Sequence, residues 1–271
     1  MPELPEVETT RRGVQPLLCK RRIVAVHIRQ GKLRWPVPPS LRSRLKQARI
    51  LDVRRRAKYL LMDTDVGTVL IHLGMSGSLT VVPADTPYRP HDRVAFDLDD
   101  GNSLRLHDPR RFGAVLWAGH RPYEHKLLNS IGPEPLSDDF SADSLYLKSR
   151  KRRRGMRDFL LDGRIVAGIG NIYANEALFL AGVRPGRAAG RLTRAEADKL
   201  TRAIKQVLAR AIKQGGTTLR DFRRADGQPG YFQQRLNVYG REGEACPQCG
   251  TTIRRHSHGG RSYFYCQQCQ R

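Results

Sequence analysis

Four cysteines near the C-terminal end constrain the fold of this chain more than any other feature. They form two pairs, Cys246-x2-Cys249 and Cys266-x2-Cys269, with sixteen residues between the pairs. This spacing is typical of two knuckles that close one structural zinc site with four thiolates. Two disulfides or four free thiols are the alternative. The fifth cysteine, Cys19, is remote from the others, which argues against a chain-wide disulfide framework and favours a reducing cytoplasm.

The charge of the chain narrows the class of partner. Among 271 residues, 49 are Lys or Arg and 26 are Asp or Glu, a formal net charge of +23. Such an excess favours a nucleic-acid partner, although a generally basic surface on a protein with another task is the alternative. No apolar run approaches the roughly 18 residues of a membrane span, and no charged-then-apolar leader opens the sequence. We therefore expect neither a membrane protein nor a secreted one.

The first part of the chain, to residue 134, is predicted to be mostly β-structure. Short runs rich in β-branched and aromatic residues occupy 23–28, 50–53, 59–62, 66–82, 93–98 and 103–107. The run 66–82 is broken by Gly74 and Gly77, and the last two runs flank an Asp-Asp-Gly-Asn turn that predicts a hairpin. One helix is expected at the start, with Pro5 in its first turn and Gly13 near its end.

From residue 135 the pattern changes to helical periodicity. A linker leads into the segment 148–157, in which seven of the ten residues are basic. The clearest helix begins at Thr193, where Glu196 completes a capping box, and its apolar stripe continues for about five turns. A shorter helix is predicted over 172–181, with Asn171 as its cap. The layout is therefore a β domain, a helical domain and a metal module.

The N-terminal sequence offers an unusual nucleophile. A small second residue favours removal of the initiator methionine, which would expose Pro2 as a secondary amine. An α-amino group has a reference pKa of about 8, and the positive end of a following helix lowers it further. Such an amine attacks a sugar aldehyde carbon to form a Schiff base, with Glu3 and Glu6 as neighbouring carboxylates for proton transfer. The alternative is a simple helix start, in which the acidic residues interact with the helix dipole.

Six dispersed motifs then give a resemblance that runs along the whole chain. They are Met-Pro-Glu-Leu-Pro-Glu-Val-Glu-Thr at the start, Arg-Arg-Ala-Lys-Tyr-Leu-Leu at 55–61, Ile-His-Leu-Gly-Met-Ser-Gly at 71–77, Asp-Pro-Arg-Arg-Phe-Gly at 108–113, Gly-Ile-Gly-Asn-Ile-Tyr at 168–173 and Gly-Gly-Thr-Thr-Leu at 215–219. Together with the cysteine module, they make the chain resemble the bacterial formamidopyrimidine-DNA glycosylases, which repair 8-oxoguanine. A related enzyme of the endonuclease VIII type, which prefers oxidised pyrimidines and shares the nucleophile, is the alternative. Such enzymes look like Pro-Glu-Gly-Pro-Glu at this point, so Leu4 and the intact 215–231 loop disfavour it.

The resemblance implies a bifunctional DNA glycosylase and lyase for oxidised purines. Pro2 would attack C1′ of the damaged nucleotide, with Glu3 as its acid and base partner and Glu6 organising the site. The resulting imine would undergo β- and then δ-elimination. The resemblance also implies that Lys58 and Arg261 are catalytic residues, and both would contact phosphates. One structural zinc ion and no organic cofactor are expected.

The resemblance also assigns the contacts with damaged DNA. Met75, Arg110 and Phe112 would fill the space left by the flipped nucleotide, and Arg110 would bond the orphaned cytosine. His72 and Asn171 would contact phosphates. From the residues alone, Met75 and Phe112 could instead belong to the core, but their glycine-flanked settings favour loops. Likewise, Gly-Ile-Gly-Asn could be an ordinary glycine turn with an Asn cap.

Two further segments complete the resemblance. Arg157, a candidate DNA contact, stands where relatives often carry a lysine, and arginine keeps the charge but not the compact ammonium. The loop 217–231 is expected to close over the flipped purine. A protein that binds damaged DNA without chemistry is a further alternative, and failure to form a covalent adduct would reveal it.

The fold class implied by the resemblance is α+β and multidomain. We expect an N-terminal β-sandwich with an N-terminal helix over 1–134, a helix–two-turns–helix domain over 135–235, and a zinc-finger hairpin over 236–271. The expected partner is damaged double-stranded DNA, with 8-oxoguanine opposite cytosine or an abasic site. No dimer seam is apparent in the sequence, so a cytoplasmic, nucleoid-associated monomer is predicted.

Overall fold

The computed structural model describes residues 2–215 and 236–271. Its helices are α1 (Leu4–Leu18), α2 (Leu41–Arg44), α3 (Ala142–Ser149), α4 (Met156–Leu160), α5 (Asn171–Leu180) and α6 (Arg194–Lys213). Its strands are β1 (Ile23–Ile28), β2 (Ile50–Arg56), β3 (Tyr59–Thr64), β4 (Gly67–His72), β5 (Ser78–Pro83), β6 (Asp92–Leu98), β7 (Asn102–His107), β8 (Ala114–Gly119), β9 (Arg254–His258) and β10 (Arg261–Tyr265). No helix in the described ranges is long and apolar enough to cross a membrane.

The described residues form two compact units. The first runs to Asn129; the second runs from Ser130 to Lys213 and resumes in the described C-terminal residues, to Arg271. The three-domain division with boundaries after residues 134 and 235 stays a prediction.

The first unit is built from two four-stranded antiparallel sheets. Their strand orders are β1-β6-β7-β5 and β2-β3-β4-β8. One hydrophobic core contains side chains from both sheets and from α1, including Val7, Phe96 and Ile71. The predicted β-sandwich is thus confirmed, and the hairpin β6–β7 turns at Gly101, whose φ of 81° suits the predicted tight turn. The strand β8 was not predicted from the sequence.

Helix α1 is longer than its sequence pattern suggested. We expected it to run toward Gly13, but it continues to Leu18 with Pro16 in its last turn. Val14 and Leu18 lie beyond the glycine and are almost fully buried in the core of the first unit. Their burial outweighs the cost of about 1 kcal/mol that a glycine imposes within a helix.

The second unit combines helices with the cysteine module. Helix α6 begins as predicted, because the Glu196 backbone N–H donates to the Thr193 hydroxyl and the Thr193 N–H donates to the Glu196 carboxylate, at 3.2 and 2.9 Å. Strands β9 and β10 pair as an antiparallel hairpin. The hairpin shares a small core with α5, made by Phe179, Val238 and Phe264 among others. The expected zinc-finger hairpin is therefore confirmed as part of this unit.

Candidate active site and nucleic-acid interface

The start of α1 holds the candidate nucleophile beside two buried carboxylates. Pro2 is buried, and Glu3 and Glu6 are 3% and 1% exposed. Glu3 is the N-cap of the helix, and its backbone N–H donates to the Glu6 carboxylate at 2.8 Å in a reciprocal capping box. Glu6 thus has the structural role of a helix start. Its carboxyl group and that of Glu3 nevertheless stand within four residues of Pro2.

Lys58 lies in the two-residue connection between β2 and β3. The strands pair up to Arg56 and Tyr59, so Ala57 and Lys58 form the loop. The positive charge of Lys58 is close enough to contribute to lowering the pKa of His72. The Tyr59 and His72 rings contact each other with centroids 4.8 Å apart. The structure therefore brings Lys58 and His72, two of the predicted site residues, to one end of the same sheet.

His72 carries a buried imidazole that is neutral at ordinary pH. Burial, together with the charges of Lys58 and Arg34, lowers the pKa of its imidazole to about 4. The backbone N–H of Gly74 donates to His72 Nδ1 at 2.9 Å, so the ring proton lies on Nε2. A neutral Nε2–H can donate to a phosphate oxygen, but it adds no positive charge at neutral pH.

We expect this imidazole to make the protein less stable in acid. The unfolded chain binds the proton near pH 6.5 and the folded chain near pH 4, so the free energy of unfolding should fall as the pH drops through this window. The full effect is about 3 kcal/mol at 1.36 kcal/mol per pKa unit. Denaturant unfolding of wild type and His72→Asn, whose amide oxygen replaces Nδ1, should show a smaller pH dependence in the variant. An equal dependence, or an NMR titration of His72 near 6.5, would contradict this.

Met75 and Phe112 occupy exposed loops rather than the core. They are 38% and 42% exposed, which confirms the loop prediction. The two loops touch: a Cβ placed on Gly74 would lie 2.5 Å from the carbonyl carbon of Phe112. The Arg110 guanidinium lies 5.1 Å from the centre of the Phe112 ring. An adaptable apolar chain, an aromatic ring and a cation are thus presented on one surface of the first unit.

Asp108, a residue that we did not predict from the sequence, shapes this surface. Its carboxylate is fully buried and accepts the backbone N–H groups of Arg111 and Gly113, at 3.0 and 2.7 Å. Arg93 adds a further tie by donating to the Asp108 carbonyl at 2.9 Å. The signal was present, because an Asp followed by Pro and charged residues is typical of a side-chain-stabilised turn. The exposed Phe112 is therefore held on a fixed loop.

In the second unit, Arg157 is buried rather than presented to DNA. Its side chain is 1% exposed, and Nη1 donates to Asn171 Oδ1 and to the Arg261 carbonyl, each at 3.3 Å. Nη2 donates to the His258 carbonyl at 3.2 Å and pairs with the Asp158 carboxylate at 2.8 Å. These bonds tie α4 to α5 and to the β9–β10 hairpin. The structure replaces the expected surface contact of Arg157 with a supporting role, because a buried cation needs such partners.

Asn171 and Arg261 lie close together through the same network. The Asn171 side chain donates to the Ser262 carbonyl at 2.8 Å, directly after Arg261 in β10. Arg261 is exposed at the start of that strand. The prediction that Asn171 caps α5 is wrong by one residue: Gly170 is the N-cap and Asn171 is the first helical residue. Its amide is engaged by the hairpin instead of the helix end.

The four cysteines converge as the spacing predicted. Their Sγ atoms all lie within 4.8 Å of one another, and the Cys246–Cys269 and Cys249–Cys266 pairs are 3.9 and 3.5 Å apart. A disulfide bond has a length of about 2.05 Å, whereas sulfurs bound tetrahedrally at about 2.3 Å from one zinc are separated by distances such as these. The residues therefore fit one structural zinc ion, and four thiolates leave no position open for substrate.

The predicted loop 217–231 lies outside the described residues.

Three models of known domains match the sequence. They are the "Formamidopyrimidine-DNA glycosylase N-terminal domain" over residues 1–115, the "Formamidopyrimidine-DNA glycosylase H2TH domain" over 131–223, and the "Zinc finger found in FPG and IleRS" over 243–271. Fold and site together define the class: a β-sandwich protein with a helix–two-turns–helix domain and a zinc finger.

Full-length relatives identify the family within this class. A formamidopyrimidine-DNA glycosylase of Thioalkalivibrio sulfidiphilus is 57% identical over 271 residues, with complete coverage of both chains. The MutM (Fpg) structure of Thermus thermophilus is 41% identical, with a TM-score of 0.89 over 99% of this chain and 98% of that one. A Lactococcus lactis Fpg structure in complex with DNA containing an abasic site is 31% identical, with a TM-score of 0.92 and complete coverage of both. The chain belongs to the formamidopyrimidine-DNA glycosylase family.

Proposed function

We propose that this chain removes oxidised purines from duplex DNA through the amine of Pro2 and then cleaves the strand. Membership of the family supports the reaction class, and relatives have been solved with DNA containing an abasic site or a benzylated formamidopyrimidine lesion. The observation that carries the proposal is the burial of Pro2 at the start of α1, beside Glu3 and Glu6. A buried amine next to a helix start favours its neutral, nucleophilic form.

The chemical steps follow from this arrangement. After removal of Met1, the Pro2 nitrogen attacks C1′ of the damaged nucleotide, and the bond from C1′ to the base breaks. Glu3 transfers protons at the sugar, so that ring opening leaves an iminium between the amine and C1′. That iminium acidifies the C2′ proton, whose removal expels the 3′ phosphate; δ-elimination then expels the 5′ phosphate. Lys58 and Arg261 are proposed to support these eliminations, and the zinc ion takes no part.

Access to C1′ requires the damaged nucleotide to leave the base stack. Unstacking and unpairing cost a few kcal/mol, which an inserted side chain can offset. The exposed loops that carry Met75, Arg110 and Phe112 suit this task, because Asp108 holds the second loop rigidly. His72 in the first unit, and Asn171 and Arg261 in the second, are proposed to contact phosphates. Arg157 would act on DNA only through Asn171 and the hairpin.

Replacing Phe112 with alanine should impair excision of an intact damaged base. We expect a loss of roughly 10- to 100-fold on 8-oxoguanine opposite cytosine, since a flipping cost of about 1.4 to 3 kcal/mol would no longer be offset. Cleavage at an abasic site should fall less, because no base remains to be unstacked. Single-turnover kinetics on both duplexes measures the difference. Leu51→Ala, at another exposed apolar side chain of the first unit, is the matched control. Equal losses of rate on both duplexes would refute the proposal that Phe112 fills the space left by the flipped nucleotide.

The test of the proposed function is borohydride trapping on a duplex with 8-oxoguanine opposite cytosine. Peptide mass spectrometry should locate the reduced adduct on Pro2. Parallel duplexes with undamaged guanine and with an oxidised pyrimidine establish the substrate class, and stronger trapping on the pyrimidine would favour the endonuclease VIII alternative. Binding without any adduct or strand cleavage would leave a DNA-binding protein without chemistry.

We further propose that the chain acts as a cytoplasmic, nucleoid-associated monomer, which sedimentation with and without DNA would test.

A further inference from the structure

Glu8 carries a buried charge that the proposed reaction leaves unexplained. It lies in the second turn of α1 and is 8% exposed. Its carboxylate accepts from Arg11 at 2.9 Å, from Arg12 at 2.8 Å and from Arg55 at 3.2 Å. Burial alone would raise the pKa of Glu8, but the hydrogen bonds from Arg11 and Arg12 lower it on balance. Glu8 is therefore an ionised group that joins its own helix to strand β2.

Arg55 extends this link to the loop that carries Lys58. Its side chain is 13% exposed, and while Nε faces Glu8, Nη1 donates to the Ala57 carbonyl at 3.0 Å. Ala57 has a φ of 52° and is 5% exposed. Tight hairpin loops need this left-handed backbone, which glycine adopts without strain and alanine does not. The bond from Arg55 therefore holds the carbonyl of a strained residue directly before Lys58.

We propose that Glu8 and Arg55 are positioning residues for Lys58. The chain of bonds runs from α1, through the Glu8 carboxylate and the Arg55 guanidinium, to the peptide that joins Ala57 to Lys58. It fixes the orientation of that peptide relative to the helix that begins beside Pro2 and Glu3. This inference rests on the proposed function, in which Lys58 assists the chemistry after Pro2 has attacked.

A role in stability alone does not account for this arrangement. A buried ion pair adds little stability compared with apolar side chains of the same size. Glycine at position 57 would also give the loop its backbone shape with no clamp. An alanine held by a charged pair restricts the loop to one conformation, as orientation of a catalytic group demands, because a displacement of about 1 Å can lower a rate about a hundredfold.

The first test compares two substitutions around the same carboxylate. Glu8→Gln keeps the size of the side chain but removes the charge that holds Arg55. Arg12→Gln removes a partner that is 59% exposed and bonds to Glu8 from the solvent side of the helix. On a duplex with a preformed abasic site, we expect Glu8→Gln to lower the single-turnover cleavage rate at saturating enzyme by about tenfold or more, with DNA affinity within about threefold of wild type. Arg12→Gln should stay within about twofold. Equal effects of the two variants would overturn the proposal.

A double-mutant cycle separates positioning from general loss of structure. If Glu8 acts through Lys58, then Glu8→Gln should cause no further loss of rate in a Lys58→Ala background. A full additional tenfold loss in that background would overturn the proposal, because Glu8 would then act by another route. Glu8→Asp, which keeps the charge, should recover part of the rate. Wild-type protein that forms no adduct at all would instead show the proposed function itself to be wrong.

Discussion

Protein that retains Met1 should form no borohydride-reducible adduct with damaged DNA. The Pro2 nitrogen is then part of a peptide bond, and an amide nitrogen has no basic lone pair with which to attack C1′. We expect excision of 8-oxoguanine to fall by at least about a thousandfold, as when other covalent enzymes lose their nucleophile. Binding to the same duplex should persist, since the phosphate contacts are unchanged. A residue inserted between Met1 and Pro2 blocks the removal of Met1 and gives the required sample. Mass spectrometry of the intact chain verifies that Met1 is still present.

Two controls separate the amine from its surroundings. After removal of Met1, Pro2→Gly carries a primary α-amine in place of the secondary amine of proline. This variant should still give a trapped adduct at position 2, but at a lower rate. Glu3→Gln keeps the nucleophile but removes the acid and base group, so it should lower base release strongly. An adduct that maps to Lys58 in the Met1-retaining protein would show that a lysine amine carries the reaction, and would refute the assignment to Pro2.

Removal of zinc should abolish tight DNA binding and unfold the C-terminal hairpin. The hairpin offers little core of its own, and a four-thiolate zinc site contributes on the order of 10 kcal/mol or more to the folding of such modules. Without the metal, Arg261 and its neighbours lose their positions, and the Asn171 side chain loses its bond to the Ser262 carbonyl. We expect affinity to fall at least tenfold. The salt dependence of binding should drop by roughly one log–log unit for each phosphate that the protein no longer neutralises.

The measurement combines zinc content with binding titrations at several salt concentrations. Cys266→Ser, at a buried ligand position, should reproduce the effect of a chelator, and native protein should contain one zinc per chain. Cys19→Ser is the matched control, because this half-buried cysteine lies in the first unit and should leave zinc content and affinity unchanged. Chelated protein that binds damaged duplex with native affinity and native salt dependence would contradict the prediction.

Much of the fold was predictable where the signal is local. The hairpin around Gly101, the capping box at Thr193 and the cysteine pairs depend on residues close in sequence, and all three appear as expected. The end of α1 was not predictable, because Val14 and Leu18 gain burial only once both sheets surround them. Strand β8 was not predicted because its sequence pattern is weak, and its strand conformation depends on pairing with β4, which is distant in the sequence.

The same distinction between local and long-range signals applies to the residues of the candidate site. Its motifs identified Pro2, Glu3 and the exposed settings of Met75 and Phe112, since these depend on residue type and turn chemistry. The part played by Asp108 could have been found from its Asp-Pro turn. The roles of those residues in catalysis stay predictions.

The sequence by itself determined the family, the zinc site and the position of the candidate nucleophile, because motif spacing and residue chemistry do not depend on packing. Only the tertiary structure decided that His72 is neutral, that Arg157 is buried, and that Glu8 reaches Arg55 across 47 positions of the chain. Desolvation and long-range hydrogen bonds depend on which distant groups surround a side chain. Those groups are brought together only when the chain folds.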